Sequence, residues 1–295
     1  MTHIYSIHKP EKDLPLIFDS PHSGQDYPLD FGYICSRADL ERAEDKYVDD
    51  LFSSVPSYGG TLLLAHFPRS YIDVNRAIDD IDLDLIKDCH WPAELYGPVA
   101  PSARSHAGIG LIRRLIRPGV PLYGSKLDAE TVHRRINDYY IPYHKKLEDL
   151  IENAHFNFGE SWHINCHSMP DSSARPRLPV AMDGMHAKNA DFVIGDRDGS
   201  TASLHFTHAL RDFLKSLGYT VTINDPYKGV ELIRRYSDPA SGRHSVQVEI
   251  NKALYMDEDT RTKTSNYNAL KSDIEKMVGF IASYASAQLI PRAAD

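Results

Sequence analysis

Nine residues, Trp162–Pro170 (WHINCHSMP), hold two histidines, an asparagine, a cysteine and a serine. Imidazole and thiol groups at this density suit metal binding or nucleophilic hydrolysis. An apolar–polar alternation runs through the stretch and predicts a strand, on which successive side chains project to opposite faces. His163, Asn165 and His167 then share one face and Cys166 takes the other. His167 falls near the exit of that strand, where α/β proteins bind their ligands. We therefore expect His167 to be a metal ligand. A Cys–His hydrolase with Cys166 as nucleophile is the competing chemistry. The alternation opposes it, because Cys166 and His167 point apart, and a small buried cysteine is the commoner role.

Other stretches offer partners. LPLIFD (Leu14–Asp19) reads as a buried strand running into the loop SPHSGQDYP, which puts His22 just past a strand end. Gly24 beside it would let backbone approach a ligand closely. SVQVEI (Ser245–Ile250) alternates strictly and ends near Glu249. Ser36–Ser53 reads as a helix with Leu40, Ala43, Tyr47, Val48 and Leu51 on one stripe. Asp45 and Asp49, four apart, would share a face of that helix. A catalytic zinc takes three nitrogen or oxygen ligands and leaves a position for water. His22, His167 and either Asp45 or Asp49 meet that need, with Glu249 as a further carboxylate to move the proton. Such an assembly hydrolyses an amide. Ser70–Arg76 also alternates, and Asn75-Arg76 at its end suits a substrate carboxylate. Arg113, Arg114 and Arg117 form a second basic group. No HExxH, GxSxG or P-loop pattern occurs.

The elements that must position these groups alternate along the chain. Gly60–His66 is a further buried strand candidate. Residues 79–123, rich in proline and glycine, predict long loops of the kind that can form a lid. Ser125–Asn153 predicts a long helix kinked or broken by Pro142. Asp171–Ala190 reads as a polar loop, Asp191–Gly195 as a strand, and Thr201–Leu217 as an amphipathic helix stopped by Gly218. Tyr219–Ile223 is an alternating strand, residues 224–244 a loop, and Lys263–Gln288 a closing helix. Interleaved strands and helices favour a single α/β domain over residues 1–295.

Composition narrows the function classes. The 295 residues are 42% apolar with net charge −8, which disfavours nucleic acid as a partner. Three cysteines without CxxC spacing argue against a disulfide framework and against a cysteine zinc site. No apolar run nears the roughly 20 residues of a membrane span. The opening MTHIYSIHKPEKD has no apolar signal segment. A cytoplasmic protein acting on a small molecule is expected.

Taken together, FDSPHSGQDYP, DKYVDDLF, RSYIDVNR, GLIRRLIRPGVPLY, WHINCHSMP, DFVIGDRDGS and VEINKALYMDE resemble the N-formylglutamate amidohydrolase family. The resemblance implies hydrolysis of N-formyl-L-glutamate to formate and L-glutamate, in histidine degradation. The family is also distantly similar to zinc carboxypeptidases and aspartoacylase-type deacylases. That implies a mixed central sheet flanked by helices, in a zinc-carboxypeptidase-like (phosphorylase/hydrolase-like) fold. It implies zinc, or another divalent metal, on His22 and His167, with Asn75-Arg76 as carboxylate clamp and Glu249 as base. The sequence departs from the His-x-x-Glu pattern at Gln25. Asp45, inside DKYVDDLF, is then the third ligand, with Asp49 in reserve. Arg113 and Arg114 would take a second substrate carboxylate. His163, Asn165, Ser168 and Asp49 would support the ligands. Two other functions are compatible with these residues: a zinc deacylase of the same fold acting on another N-acyl amino acid or peptide, and a non-enzymatic module binding an anionic metabolite.

Overall fold

The computed structural model describes residues 3–176 and 188–289. The middle of the polar loop expected over Asp171–Ala190, residues 177–187, lies outside them. Among the described residues seven strands build one mixed sheet: β1 (Tyr5–His8), β2 (Leu16–Ser20), β3 (Thr61–Ala65), β6 (Ser161–Met169), β7 (Phe192–Gly195), β8 (Val221–Ile223) and β9 (Arg243–Asn251). Their order is β1-β3-β2-β6-β9-β7-β8, and β4 (Leu115–Arg117) and β5 (Val120–Pro121) form a separate hairpin. Strand β6 pairs in parallel with β2 and β9, while β7 runs antiparallel to β9. The sheet is thus mixed and flanked by helices, as expected.

By contacts the chain groups into two compact units. One comprises the stretch up to Ser6, Pro21–Lys46 and Leu64–Leu147; the other comprises Ile7–Ser20, Tyr47–Leu63 and the chain from Glu148 onward. In the second unit every residue of β6 is buried. A strand covered on both faces is normally apolar throughout. Here only one face is: Ile164 and Cys166 pack with the apolar core that includes Val246 and Val248. The other face carries His163, Asn165 and His167. The helices Leu204–Ser216 and Tyr267–Gln288 bury Phe206, Leu210 and Leu214, and Leu270, Ile274, Met277, Val278 and Ile281. Those spacings make one helical stripe, and Phe213 stacks on Phe280 at 4.5 Å. Gly218, at φ +96°, ends the first of these helices as its sequence predicts.

Four expectations are corrected. The helix expected over Ser36–Ser53 is two short helices, Arg37–Arg42 and Val48–Leu51. Between them Asp45 gives its N–H to the carbonyl of His22 at 3.0 Å instead of continuing a helix, so Asp45 and Asp49 do not share a helical face. Ser70–Arg76 is a turn, not a strand end. Asp73 Oδ1 takes the N–H of Asn75 at 3.0 Å, an Asx-type closure that defeats the alternation. Pro142 does not break its helix. A π turn, Ile136–Tyr140, joins Ala129–Arg135 to Ile141–Phe158, and the wider turn sits just ahead of the proline. Within 224–244, Glu231–Tyr236 is helical, too short to stand out by periodicity.

At the start of β9 the His244 ring stacks on Trp162 at 4.1 Å and accepts the Ser203 N–H at 3.2 Å. Burial pushes its pKa down to about 4. Below the ordinary value of about 6.5, the unfolded chain takes up a proton that the folded chain refuses until near pH 4. Stability therefore falls as pH drops through that window, by roughly 3 kcal/mol from this group. Thermal melts from pH 7 to 4.5 should show a shallower acid loss for His244→Gln than for the natural protein. Equal slopes would assign the loss to other groups.

Candidate active site

In the first unit the loop after β2 is pressed onto the backbone of His66 and Phe67. A Cβ on Gly24 would lie 2.3 Å from the His66 carbonyl carbon, so only glycine fits. That close approach serves chain against chain and not a ligand. The packing buries His22, which is 1% exposed. Its Nε2 lies 2.7 Å from Asp73 Oδ1, and its Nδ1 faces Asp45 Oδ2 at 3.4 Å. An ionised carboxylate only accepts, so Nε2 donates to Asp73 and the Nδ1 lone pair looks toward Asp45. The second oxygen of Asp73 accepts from Arg69 Nη2 at 2.8 Å. Burial raises the Asp73 carboxyl, but Arg69, His22 and Arg76 outweigh it and hold the group well below the usual carboxylate range.

Positive charge is in excess here. Arg76 Nε stands 3.8 Å from Asp73 Oδ2, and Arg69 Nη1 stands 3.8 Å from Asp45 Oδ1. Asp73 N–H bonds to the Leu111 carbonyl, which ties the turn bearing Arg113 to the Asp73 loop. Burial, then the neighbouring Arg69, lowers the Arg113 pKa to about 9. Arg76 Nε and Arg113 Nε are both buried with no hydrogen-bond partner among the described residues. Three guanidiniums against the carboxylates of Asp45 and Asp73 leave room for an anion. Asn75 is buried beside them. Arg114 is engaged elsewhere, donating to Asp82 at 2.7 Å, and Arg117 donates to Asp39 at 3.2 Å.

In the second unit the polar face of β6 forms a connected row. His167 Nε2 lies 2.7 Å from Asn165 Oδ1, and Asn165 Nδ2 donates to Asp19 Oδ1 at 2.7 Å. His163 Nε2 meets the same Asp19 oxygen at 2.9 Å, and its Nδ1 meets Ser245 Oγ at 2.6 Å. Glu249 is the register partner of His167 on β9, is buried, and accepts from Gln247 Nε2 at 2.8 Å. Ser168 is buried, its Oγ without a hydrogen-bond partner among the described residues. Asp49 is half-buried, and burial raises its pKa.

His22 and Asp45, which face each other within the first unit, and His167, in the second, are all buried. Two imidazoles and a carboxylate are a donor set that suits zinc, and each histidine has its Nε2 held by a neighbour. The sequence reading passed over Asp73, Arg69, Asp19 and Gln247. Two signals pointed to them: an aspartate closing the apolar run LPLIFD, and an Arg–Asp pair four apart in RSYIDVNR.

Cys166 is fully buried, and burial, with Asp19 nearby, raises its pKa well above the free thiol's. It is not a nucleophile poised as thiolate. A thiol reagent should label exposed Cys89 in the native protein and reach Cys166 only after unfolding. Labelling of native Cys166 would reopen the cysteine mechanism.

Residues 14–256 match the model of the N-formylglutamate amidohydrolase family. A crystal structure of N-formylglutamate amidohydrolase from Ralstonia eutropha JMP134 is 42% identical, with TM-score 0.88 over 96% of this chain and 99% of that one. N-formylglutamate deformylase of Pseudomonas aeruginosa is 26% identical over 250 residues, and that of Pseudomonas putida 27% over 251, each match covering 83% of both chains. A gene product of Agrobacterium tumefaciens, 16% identical, shares the fold with TM-score 0.63 over 98% of this chain and 96% of that one. With the family model spanning most of its length, the chain belongs to the N-formylglutamate amidohydrolase family.

Proposed function

We propose that the protein is a metal-dependent hydrolase converting N-formyl-L-glutamate to formate and L-glutamate, in histidine degradation, with zinc on His22, Asp45 and His167. What supports this is that His22, Asp45 and His167 are each buried, with the Nε2 of each histidine held by a neighbour, in a chain of this family. Asp49 remains the alternative carboxylate. A bound divalent metal would supply an acidified water and polarise the formyl carbonyl. The protein's own groups account for the rest. Glu249, oriented by Gln247, takes the proton of the attacking water and returns it to the departing amine. Arg76 with Asn75 holds one substrate carboxylate, and Arg113 the other. Asp73 and Asn165 fix the rings of His22 and His167. We take residues 1–295 to act as one hydrolytic domain, because the family match runs unbroken from 14 to 256. A cytoplasmic location belongs to the same proposal. Among the described residues no helix is long and apolar enough to cross a membrane.

The test is formate release from N-formyl-L-glutamate before chelation, after it, and after zinc is restored. Activity should vanish with the metal and return with it. Glu249→Gln should keep its metal and lose about 10²–10⁴-fold in turnover. Activity that survives rigorous metal removal would sink the metal mechanism. Turnover of some other N-acyl amino acid or peptide alone would move the substrate within the same fold. Bound metal with no hydrolysis of any acyl amino acid would favour a binding module.

Two substrate carboxylates and two buried guanidiniums lead to a second expectation. Arg113→Ala should raise KM for N-formyl-L-glutamate by about 10²-fold, the cost of one charge-assisted pair. N-formyl-L-alanine, which lacks the side-chain carboxylate, should be affected far less. Equal losses on both substrates would remove Arg113 from side-chain recognition.

A further inference from the structure

We propose that Asp19 is a positioning residue that decides, through Asn165, which nitrogen His167 presents to a metal; the proposal rests on the reading of His167 as a ligand. An asparagine amide has two ends of nearly equal shape but opposite hydrogen-bonding character. Something must select which end faces His167. Asp19 is fully buried at the end of β2, and its Cα is the register partner of Asn165. As a carboxylate it offers only acceptors. Its Oδ1 takes the Asn165 Nδ2 hydrogen at 2.7 Å, so the amide must turn its NH₂ toward β2. Asn165 Oδ1 then faces His167 Nε2 at 2.7 Å and accepts. That requires the proton of neutral His167 to sit on Nε2, and the lone pair is left on Nδ1.

The anchor is itself held. His163 Nε2 meets the same Asp19 oxygen at 2.9 Å, and Ser245 Oγ meets His163 Nδ1 at 2.6 Å. The row Ser245–His163–Asp19–Asn165–His167 crosses three strands without leaving one face of the sheet. A structural aspartate would need only to be satisfied. This one sets a donor and acceptor order that Asn165 passes on to His167, and His163 is part of the same device.

The tautomer of His167 is directly measurable. Long-range proton–nitrogen NMR on metal-free protein with isotope-labelled histidine reports it, with the His167 signals identified by their loss in His167→Gln. The natural protein should show only the Nε2–H form. Asp19→Ala removes the acceptor, and Asp19→Leu removes it while filling the space, which keeps the test open should the alanine variant fold poorly. Both should give the Nδ1–H form or a mixture. Asp19→Asn retains an amide oxygen that can accept from Asn165 and should keep the Nε2–H form. Zinc affinity, by competition with a chromophoric chelator, should fall about 10–100-fold for Ala and Leu and less for Asn. His167 remaining purely Nε2–H in both Ala and Leu variants would overturn the proposal. The readout needs no substrate. Natural protein that releases no formate, yet shows this shift between variants, would remove the proposed reaction and support the relay.

Discussion

The constraint on which much of this structure depends is that the polar face of β6 is buried. Isolated imidazoles and amides inside a protein cost several kcal/mol unless their hydrogen-bonding groups are met. Here His163, Asn165 and His167 meet one another's needs through Asp19 and Ser245. That solution leaves little freedom. A parallel register of β2 against β6 is needed to set Asp19 beside Asn165, and the register of β6 against β9 sets Ser245 beside His163 and Glu249 beside His167. A one-residue slip of any of these strands would turn its polar residues into the apolar core. The apolar residues of the sheet and its helices thus fix the strands, while the buried polar row fixes the order of protons within them.

The same logic appears around Asp73, with charge in place of tautomers. A carboxylate that deep would ordinarily be pushed toward its neutral form. Arg69, Arg76 and the His22 imidazole reverse that and keep it anionic. Asp73 can then accept from His22 with one oxygen and from Arg69 with the other. The three guanidiniums drawn to this neighbourhood exceed what Asp73 and Asp45 neutralise. Arg113, whose pKa is lowered to about 9 by burial, pays the largest desolvation cost. On the proposed function, a substrate carboxylate would pair with these guanidiniums in the same arrangement that orients His22.

Much of this was legible in the sequence, and what was not has physical reasons. Strand β6, its alternation and the placement of Glu249 beside a strand end follow from period-two patterning, which is local. So do the stripes of the two long helices and the glycine that stops one of them. His22 and His167 stand out because they lie near predicted strand exits, where α/β folds bind ligands, and because both fall inside the blocks that carry the family resemblance. Asp73 and Asp19 escaped because their roles lie in partners 51 and 144 residues away, His22 and His163. Arg76 was read at a strand end that is in fact a turn, because Asn75 closes on Asp73 and the alternation of Ser70–Arg76 has no sheet beneath it. The apparent helix over Ser36–Ser53 has a sound apolar stripe. It breaks because the N–H of Asp45 is committed to His22.

That broken helix also explains the departure at Gln25. A carboxylate three residues after His22 would require the chain to curl back toward the imidazole. Instead Gly24 is pressed against the His66–Phe67 backbone and Asp26 donates to the His66 carbonyl, which carries the loop away and leaves Gln25 exposed. A residue so placed cannot supply a buried ligand, whatever its side chain. Asp45 can, because its own N–H is bonded to the His22 carbonyl and its carboxylate faces the His22 ring. The backbone bond brings the two residues together without relying on sequence proximity. The side chain at 25 lies outside the proposed ligand set, and a neutral glutamine in that place is what the geometry permits.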